Sequence, residues 1–130
     1  MQRLLFGIMA LAFACAATSA SRASLDMSIP DSQKSDFELV VVEAPDCIYC
    51  HIFHRDVVPA YERSPRAETL PMRFVDVNED AIKALSLSRP IESVPTVLVV
   101  KDQREVGRIP GYVGPMNFFM TIDRLLAEAQ

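Results

Sequence analysis

Short apolar runs rich in β-branched residues alternate along this chain with stretches whose apolar positions recur every three or four residues. Phe37-Glu38-Leu39-Val40-Val41-Val42 is such a run, of the length of a buried strand. Ala44-Pro45-Asp46 interrupts it. From Cys47 the spacing turns helical through Ile48, Ile52, Phe53, Val57 and Val58, with Tyr61 beyond. Pro59 is expected to kink or end that helix, and Ser64-Pro65-Arg66 to form the loop after it. Met72 to Val77 alternates as a second strand, and Asn78 is placed to cap a short helix with Glu79 and Asp80 in its first turn, ended by Ser88-Arg89-Pro90. Thr96 to Val100 reads as a third strand, Lys101-Asp102-Gln103 as a hairpin turn, and Glu105 to Ile109 as a fourth strand. Gly111 and Gly114-Pro115 lead into a last helix with Phe118, Phe119, Ile122, Leu125 and Leu126 on one stripe. The predicted order is β-α-β-α-β-β-α, an α/β domain with no internal repeat.

The first residues follow a different rule. Arg3 precedes an uncharged apolar run, Leu4 to Ala17, and small residues follow at Thr18-Ser19-Ala20 and Ser21-Arg22-Ala23. This is the layout of a secretory signal peptide over residues 1–23, cut after Ala20 or Ala23. The run falls short of the roughly 20 residues that span a bilayer, so stable membrane insertion after cleavage is not expected. Leu11 to Cys15 faintly resembles a lipoprotein processing site, which Phe13 fits badly. Residues 24–35 are polar, contain Pro30 and form a flexible lead-in; residues 36–130 form the domain.

Cutting after Ala23 leaves 11 basic against 17 acidic residues, a net charge of −6. That balance argues against nucleic acid as a partner. Cys15 leaves with the signal, so the mature chain keeps Cys47 and Cys50 in an exported compartment where disulfides persist. A domain of this length builds its core without staples, so the pair need not be structural.

Cys47-Ile48-Tyr49-Cys50-His51 fits more than one chemistry. It could be a redox dithiol at a helix start, or two thioether anchors and an axial His51 for a c-type haem, with Met72, Met116 or Met120 as distal ligand. Zinc held by Cys47, Cys50, His51 and His54 is disfavoured, because all four share barely two turns of one helix and cannot surround an ion. An inert clip would close too small a loop to stabilise much. As a dithiol, Cys47 at the positive helix end is the exposed nucleophile and Cys50, one turn in, the resolving thiol. No cofactor is needed. Asp46 opposes thiolate formation at Cys47, whereas a protonated His51 would favour it.

The order of elements, Cys-x-x-Cys after the first strand and Val94-Pro95-Thr96 opening the third together resemble the thioredoxin fold over nearly all of Phe37 to Glu128. Phe74 to Glu79 resembles the family's second core strand and its exit, Ile91 to Thr96 its cis-proline loop, and Gly107 to Gly114 its last strand and glycine turn. Cys47 to His54 is similar to the active-site helix of periplasmic disulfide isomerases, whose dimerisation domain has no counterpart here. The whole resembles periplasmic thioredoxin-like proteins, including those of bacterial sulfur-oxidation (Sox) systems.

The resemblance implies a thiol-disulfide oxidoreductase that meets its client through Ile48, Tyr49, Val94, Pro95 and Thr96. It implies a cis bond at Pro95 that sets the Val94 backbone beside the thiols. The family's buried acid, six residues before the first cysteine, is replaced by Val41. Glu43 shares that side of the strand and can serve as proton acceptor for Cys50, or be a solvated strand-end charge. The expected protein is a periplasmic monomer that reduces disulfides of exported clients and draws electrons from a membrane thiol donor. The same site would serve an oxidase or isomerase, and the same fold a redox-inactive chaperone.

Overall fold

The computed structural model describes residues 36–130; the proposed signal peptide, Cys15 and the lead-in lie outside the described residues. Strands β1 (Phe37–Glu43), β2 (Met72–Asp76), β3 (Thr96–Lys101) and β4 (Arg104–Pro110) form one sheet in the order β2-β1-β3-β4. β1 is therefore interior, parallel to β2 and antiparallel to β3, and β3 pairs antiparallel with β4.

An interior strand with both faces covered must be apolar along its middle, and Leu39 to Val42 are all fully buried, with Glu38 and Glu43 toward its ends. Phe37, Leu39 and Val41 face one core, made with Phe53, Val57 and Tyr61 from the helices after β1 and Phe118, Ile122 and Leu125 from the last helix. Val40 and Val42 face a second core with Val75, Ile82, Leu85, Leu98 and Val100. Helices thus flank the sheet on both faces, the arrangement the resemblance implied.

The first helical stretch divides into α1 (Ile48–Asp56) and α2 (Val58–Glu62). Pro59 has no N–H to offer the Arg55 carbonyl four residues back, and the chain breaks at Val57 as expected. After Ser64-Pro65 the chain forms one further short helix, α3 (Arg66–Thr69), where only a loop was expected. It is held to α2 by the Tyr61 hydroxyl, which donates to the Leu70 carbonyl, and to the last helix by an Arg66–Asp123 ion pair.

Two expectations are corrected around the next helix, α4 (Asp80–Lys83). Asn78 does not cap it. Asp76 Oδ1 accepts both the Asn78 backbone N–H (2.8 Å) and its side-chain amide (3.0 Å), closing a turn that postpones the helix, whose N-cap is Glu79. Nor does the helix run to Ser88. It ends at Lys83, because Ser86 pairs with the hairpin instead, donating to Gln103 O (2.8 Å) and accepting from Glu105 N (3.1 Å).

Asp102 and Gln103 form the hairpin turn between β3 and β4, both with positive φ (50° and 60°), the geometry that matches the twist of the flanking strands. Gly114, with φ 78°, precedes α5 (Pro115–Glu128), and Pro115 occupies its first turn. The predicted stripe is the packed face: Phe118, Ile122 and Leu125 are buried, with Phe119 and Leu126 beside them. Gly107 lets α5 approach β4 closely, since a Cβ there would lie 2.8 Å from Leu125 Cδ2.

Phe118 meets Phe53, Tyr61 and Phe119 edge to face at 5.7, 6.1 and 5.4 Å between ring centres. The Phe53 contact joins α5 to α1, which carries the cysteines, and the Tyr61 contact joins it to α2. Phe118→Ala is expected to lower the unfolding free energy by about 3–5 kcal/mol, read from urea denaturation of the oxidised protein.

Candidate active site

β1 delivers the chain to its carboxyl end at Glu43, and Ala44-Pro45-Asp46 turns it, with Asp46 at φ 57°. Cys47 then occupies the N-cap of α1. Its Sγ accepts the backbone N–H of Cys50 at 3.1 Å, the role a Ser or Asp oxygen usually fills. Its carbonyl accepts from Cys50 N and His51 N, both at 3.1 Å. The sulfur therefore lies where unpaired amide dipoles favour negative charge. Cys50, one turn in, is 5% exposed, and the two are joined as a disulfide across a Cα–Cα distance of 5.2 Å. Ile48 and Tyr49, between them, are 64% and 57% exposed, leaving two apolar side chains at the mouth of the site.

The loop before β3 faces the sulfurs. The Val94–Pro95 bond is cis, and the Val94 carbonyl oxygen lies 3.7 Å from Cys47 Sγ. The Pro95 carbonyl accepts the Gly111 N–H at 2.7 Å, and the buried Thr96 hydroxyl donates to Ser93 O at 2.7 Å, fixing the loop at both ends. The expected residues Cys47, Cys50, Val94, Pro95 and Thr96 are thus brought together.

A buried ion pair on β4 holds the same loop from behind, and nothing in the sequence spacing announced it. Arg108 pairs with Glu105 through Nε and Nη2, both at 2.5 Å, with side-chain exposures of only 8% and 3%. Arg108 also donates to the carbonyls of Arg89 (2.8 Å) and Pro90 (3.0 Å), and Glu105 accepts the Ser88 N–H (2.8 Å). Residues three apart on a regular strand point to opposite faces. Here the β3–β4 register shifts at Val99/Val100, Val106 is left without a partner, and Glu105 and Arg108 fall on one side. Burial pushes the Glu105 carboxyl up, but hydrogen bonds from Arg108 and Ser88 outweigh it and hold the group below its ordinary range. The Arg108 guanidinium is raised, first by its hydrogen bond to Glu105.

The far end of α1 is fastened to the glycine turn. Tyr112 donates to Asp56 Oδ2 at 2.9 Å, and Arg55 brackets the same carboxylate at 2.6 and 2.9 Å. The Arg55 hydrogen bond, then that of Tyr112, lowers Asp56 from 3.8 to about 2.

Beside the disulfide a cleft of about 390 Å³ is lined by Glu43, Ala44, Pro45, Asp46, Cys47, Cys50, His51, His54 and Asp76. Glu43 is not a free strand-end charge: its Oε2 lies 2.7 Å from His54 Nε2, and the imidazole stacks on Phe74 at 4.5 Å. Val41 is fully buried, so that face of β1 carries no carboxylate deeper than Glu43. His51, the histidine singled out above, is exposed on the rim, and His54 is the one the fold holds in place.

A haem does not fit this placement. Met72 pairs with Leu39 near the opposite end of β1 from Glu43, and Met116 and Met120 are 77% and 63% exposed on α5. Among the described residues no group of three or more His, Cys, Asp or Glu is arranged to hold a metal ion, and no helix is long and apolar enough to cross a membrane.

A dithiol at a helix start, facing a cis-proline loop on a four-stranded sheet, defines a thiol-disulfide oxidoreductase of the thioredoxin type. The family model of a thioredoxin-like domain matches residues 28–126, and the chain belongs to that family. No protein of curated function matches it. Among solved structures it is similar to the reduced form of the periplasmic thioredoxin SoxS from Paracoccus pantotrophus, at 26% identity and TM-score 0.67 over 72% of this chain and 99% of that one. It is also similar to a poplar thioredoxin h, at 25% identity and TM-score 0.52 over 73% and 78% of the two chains. The thioredoxin of Malassezia sympodialis shares the fold, at 18% identity and TM-score 0.57 over 71% and 79%.

Arg108→Ala leaves the Glu105 carboxylate buried and unpaired. It is expected to lower stability by about 3–5 kcal/mol in chemical denaturation, whereas a surface ion-pair deletion such as Arg124→Ala costs less than about 1 kcal/mol.

Proposed function

We propose that the protein is a periplasmic reductase of client disulfides, with Cys47 as nucleophile and Cys50 as resolving thiol. The observation that carries this reading is the placement of Cys47 Sγ, the more exposed sulfur, at the helix N-cap and against the Val94 carbonyl. A Cys47 thiolate attacks one sulfur of the client disulfide; a Cys47–client bond forms and the other client sulfur leaves as a thiolate, which takes a proton. Cys50 then loses its proton and attacks Cys47 Sγ. The Cys47–Cys50 bond forms, the second client thiolate departs, and two electrons have passed to the client.

The client lies across Ile48 and Tyr49 and along Val94-Pro95-Thr96. Among the described residues the Val94 N–H makes no backbone hydrogen bond, so an extended client segment can pair with it. Glu43 serves the proton transfer at Cys50. The carboxylates of Glu43, Asp46 and Asp76 around the cleft disfavour a stabilised thiolate, which supports the reducing direction.

Export rests on the signal-like residues 1–23, with the mature chain beginning after Ala20 or Ala23, and on likeness to a periplasmic thioredoxin. Because the periplasm has no reducing buffer of its own, a membrane thiol donor recharges the pair. The clients are exported proteins such as a Sox sulfur carrier or an apocytochrome c, and the acidic chain favours a client surface of basic character. The working form is a monomer.

Cys47→Ser is expected to abolish reduction of insulin disulfides. Cys50→Ser is expected to accumulate dithiothreitol-cleavable adducts with exported proteins in cells, identified by mass. Full activity in Cys47→Ser, or adducts formed through Cys50 instead, would contradict the assignment.

A further inference from the structure

Resolution of a Cys47–client bond requires Cys50, at 5% exposure, to give up a proton. A buried thiol resists ionising without a base nearby. The interior offers none on this face of β1, where Val41 is fully buried. The groups that face Cys50 across the cleft are Glu43 from β1, Asp76 from β2, Asp46 from the turn before α1, and His51 and His54 from α1 itself.

Only one of these is both on Cys50's side of the helix and engaged by side chains from the sheet, although it is itself partly exposed. His54 is four residues beyond Cys50, so the two Cβ atoms are roughly 5–6 Å apart on one helix face. Helical side chains lean toward the N-terminal end, and His54 lines the same cleft as Cys50. Glu43 Oε2 fixes the ring from the strand at 2.7 Å, and Phe74 fixes its plane by stacking at 28°. In the neutral tautomer that gives Nε2–H to Glu43, Nδ1 keeps a free lone pair. Asp76 Oδ1 is engaged by Asn78 through two hydrogen bonds, and among the described residues Asp46 and His51 are exposed and have no side-chain partner.

We infer that His54 is the proton acceptor for Cys50 and that Glu43 is the residue that positions it, a Glu-His pair replacing the buried acid of the family. This rests on the proposed roles of Cys47 and Cys50 and revises that of Glu43 from acceptor to orienter. In the step, the Cys50 S–H proton passes to His54 Nδ1, the Cys50 thiolate displaces the client sulfur from Cys47, and the imidazolium returns the proton to the departing client thiolate. No other reactant is required. Imidazole suits the task because one ring nitrogen accepts a proton while the other donates to the residue that positions it.

The test uses the reduced full chain carrying Cys15→Ser, mixed with Ellman's reagent in a stopped-flow instrument. The first release of thionitrobenzoate reads attack by Cys47; the second reads attack by Cys50 on the adduct. His54→Ala is expected to slow the second release about tenfold or more relative to the first. Added imidazole should restore that rate in His54→Ala, and Glu43→Gln should slow it less, since the ring remains. A second-to-first ratio within about twofold of the parent overturns the inference, as does a slowing that added imidazole leaves untouched. Loss of the first release in the parent would instead count against Cys47 as the nucleophile, so the two readings fail separately.

Discussion

The site depends on one constraint: a helix must begin where the interior strand stops. β1 is apolar over Leu39 to Val42 because the sheet covers it on both sides and helices cover both faces, so its course is fixed before any polar residue is reached. Glu43, Asp46 and Cys47 follow within a few residues, and the turn at Asp46 presents the Cys47 sulfur to the free amides of α1. Ligand sites of open α/β sheets gather at the carboxyl ends of the strands for this reason. Phe53, Val57 and Tyr61 then anchor the same helices in the core, which holds the first turn rigid while its tip stays open.

Around that junction opposite electrostatic influences meet. The helix end favours a thiolate at Cys47, and the carboxylates of Glu43, Asp46 and Asp76 oppose it. The facing loop is fixed independently of this balance. Thr96 ties it to Ser93, Pro95 to Gly111, and the Glu105–Arg108 pair to Ser88, Arg89 and Pro90. Tyr112 and Asp56 link the glycine turn back to α1. The surface around the dithiol is therefore supported from β4, α1 and the turn before α5, while Ile48 and Tyr49 remain exposed.

Strong local patterns made most of this legible in the sequence. The β-branched runs of β1 and β3, the helical spacing after Cys47 and the stripe of α5 each survive into the structure, because burial on a fixed face demands them. The paired cysteines were legible for the same reason, lying at the switch from strand to helix. What escaped depends on chain segments meeting out of register. α3 is too short to show a period. Asn78 had the right chemistry for a cap, but Asp76 captured it first. The Glu105–Arg108 pair needs a bulge that no spacing announces. His51 drew attention by adjoining Cys50, whereas His54 meets Glu43 and Phe74 only once the sheet is built.

In the proposed function, the surroundings of the dithiol make the protein a donor of electrons. Strong oxidants of the periplasm owe their power to a stabilised reduced form, and the carboxylates here withhold that stabilisation. The most direct measurement is the reduction potential of the Cys47–Cys50 pair, obtained by equilibrating the protein in graded thiol buffers and counting free thiols by mass. A value near that of thioredoxin, about −270 mV, is the result predicted; a value near about −120 mV, that of a strong periplasmic oxidant, would reverse the direction of electron flow and contradict it.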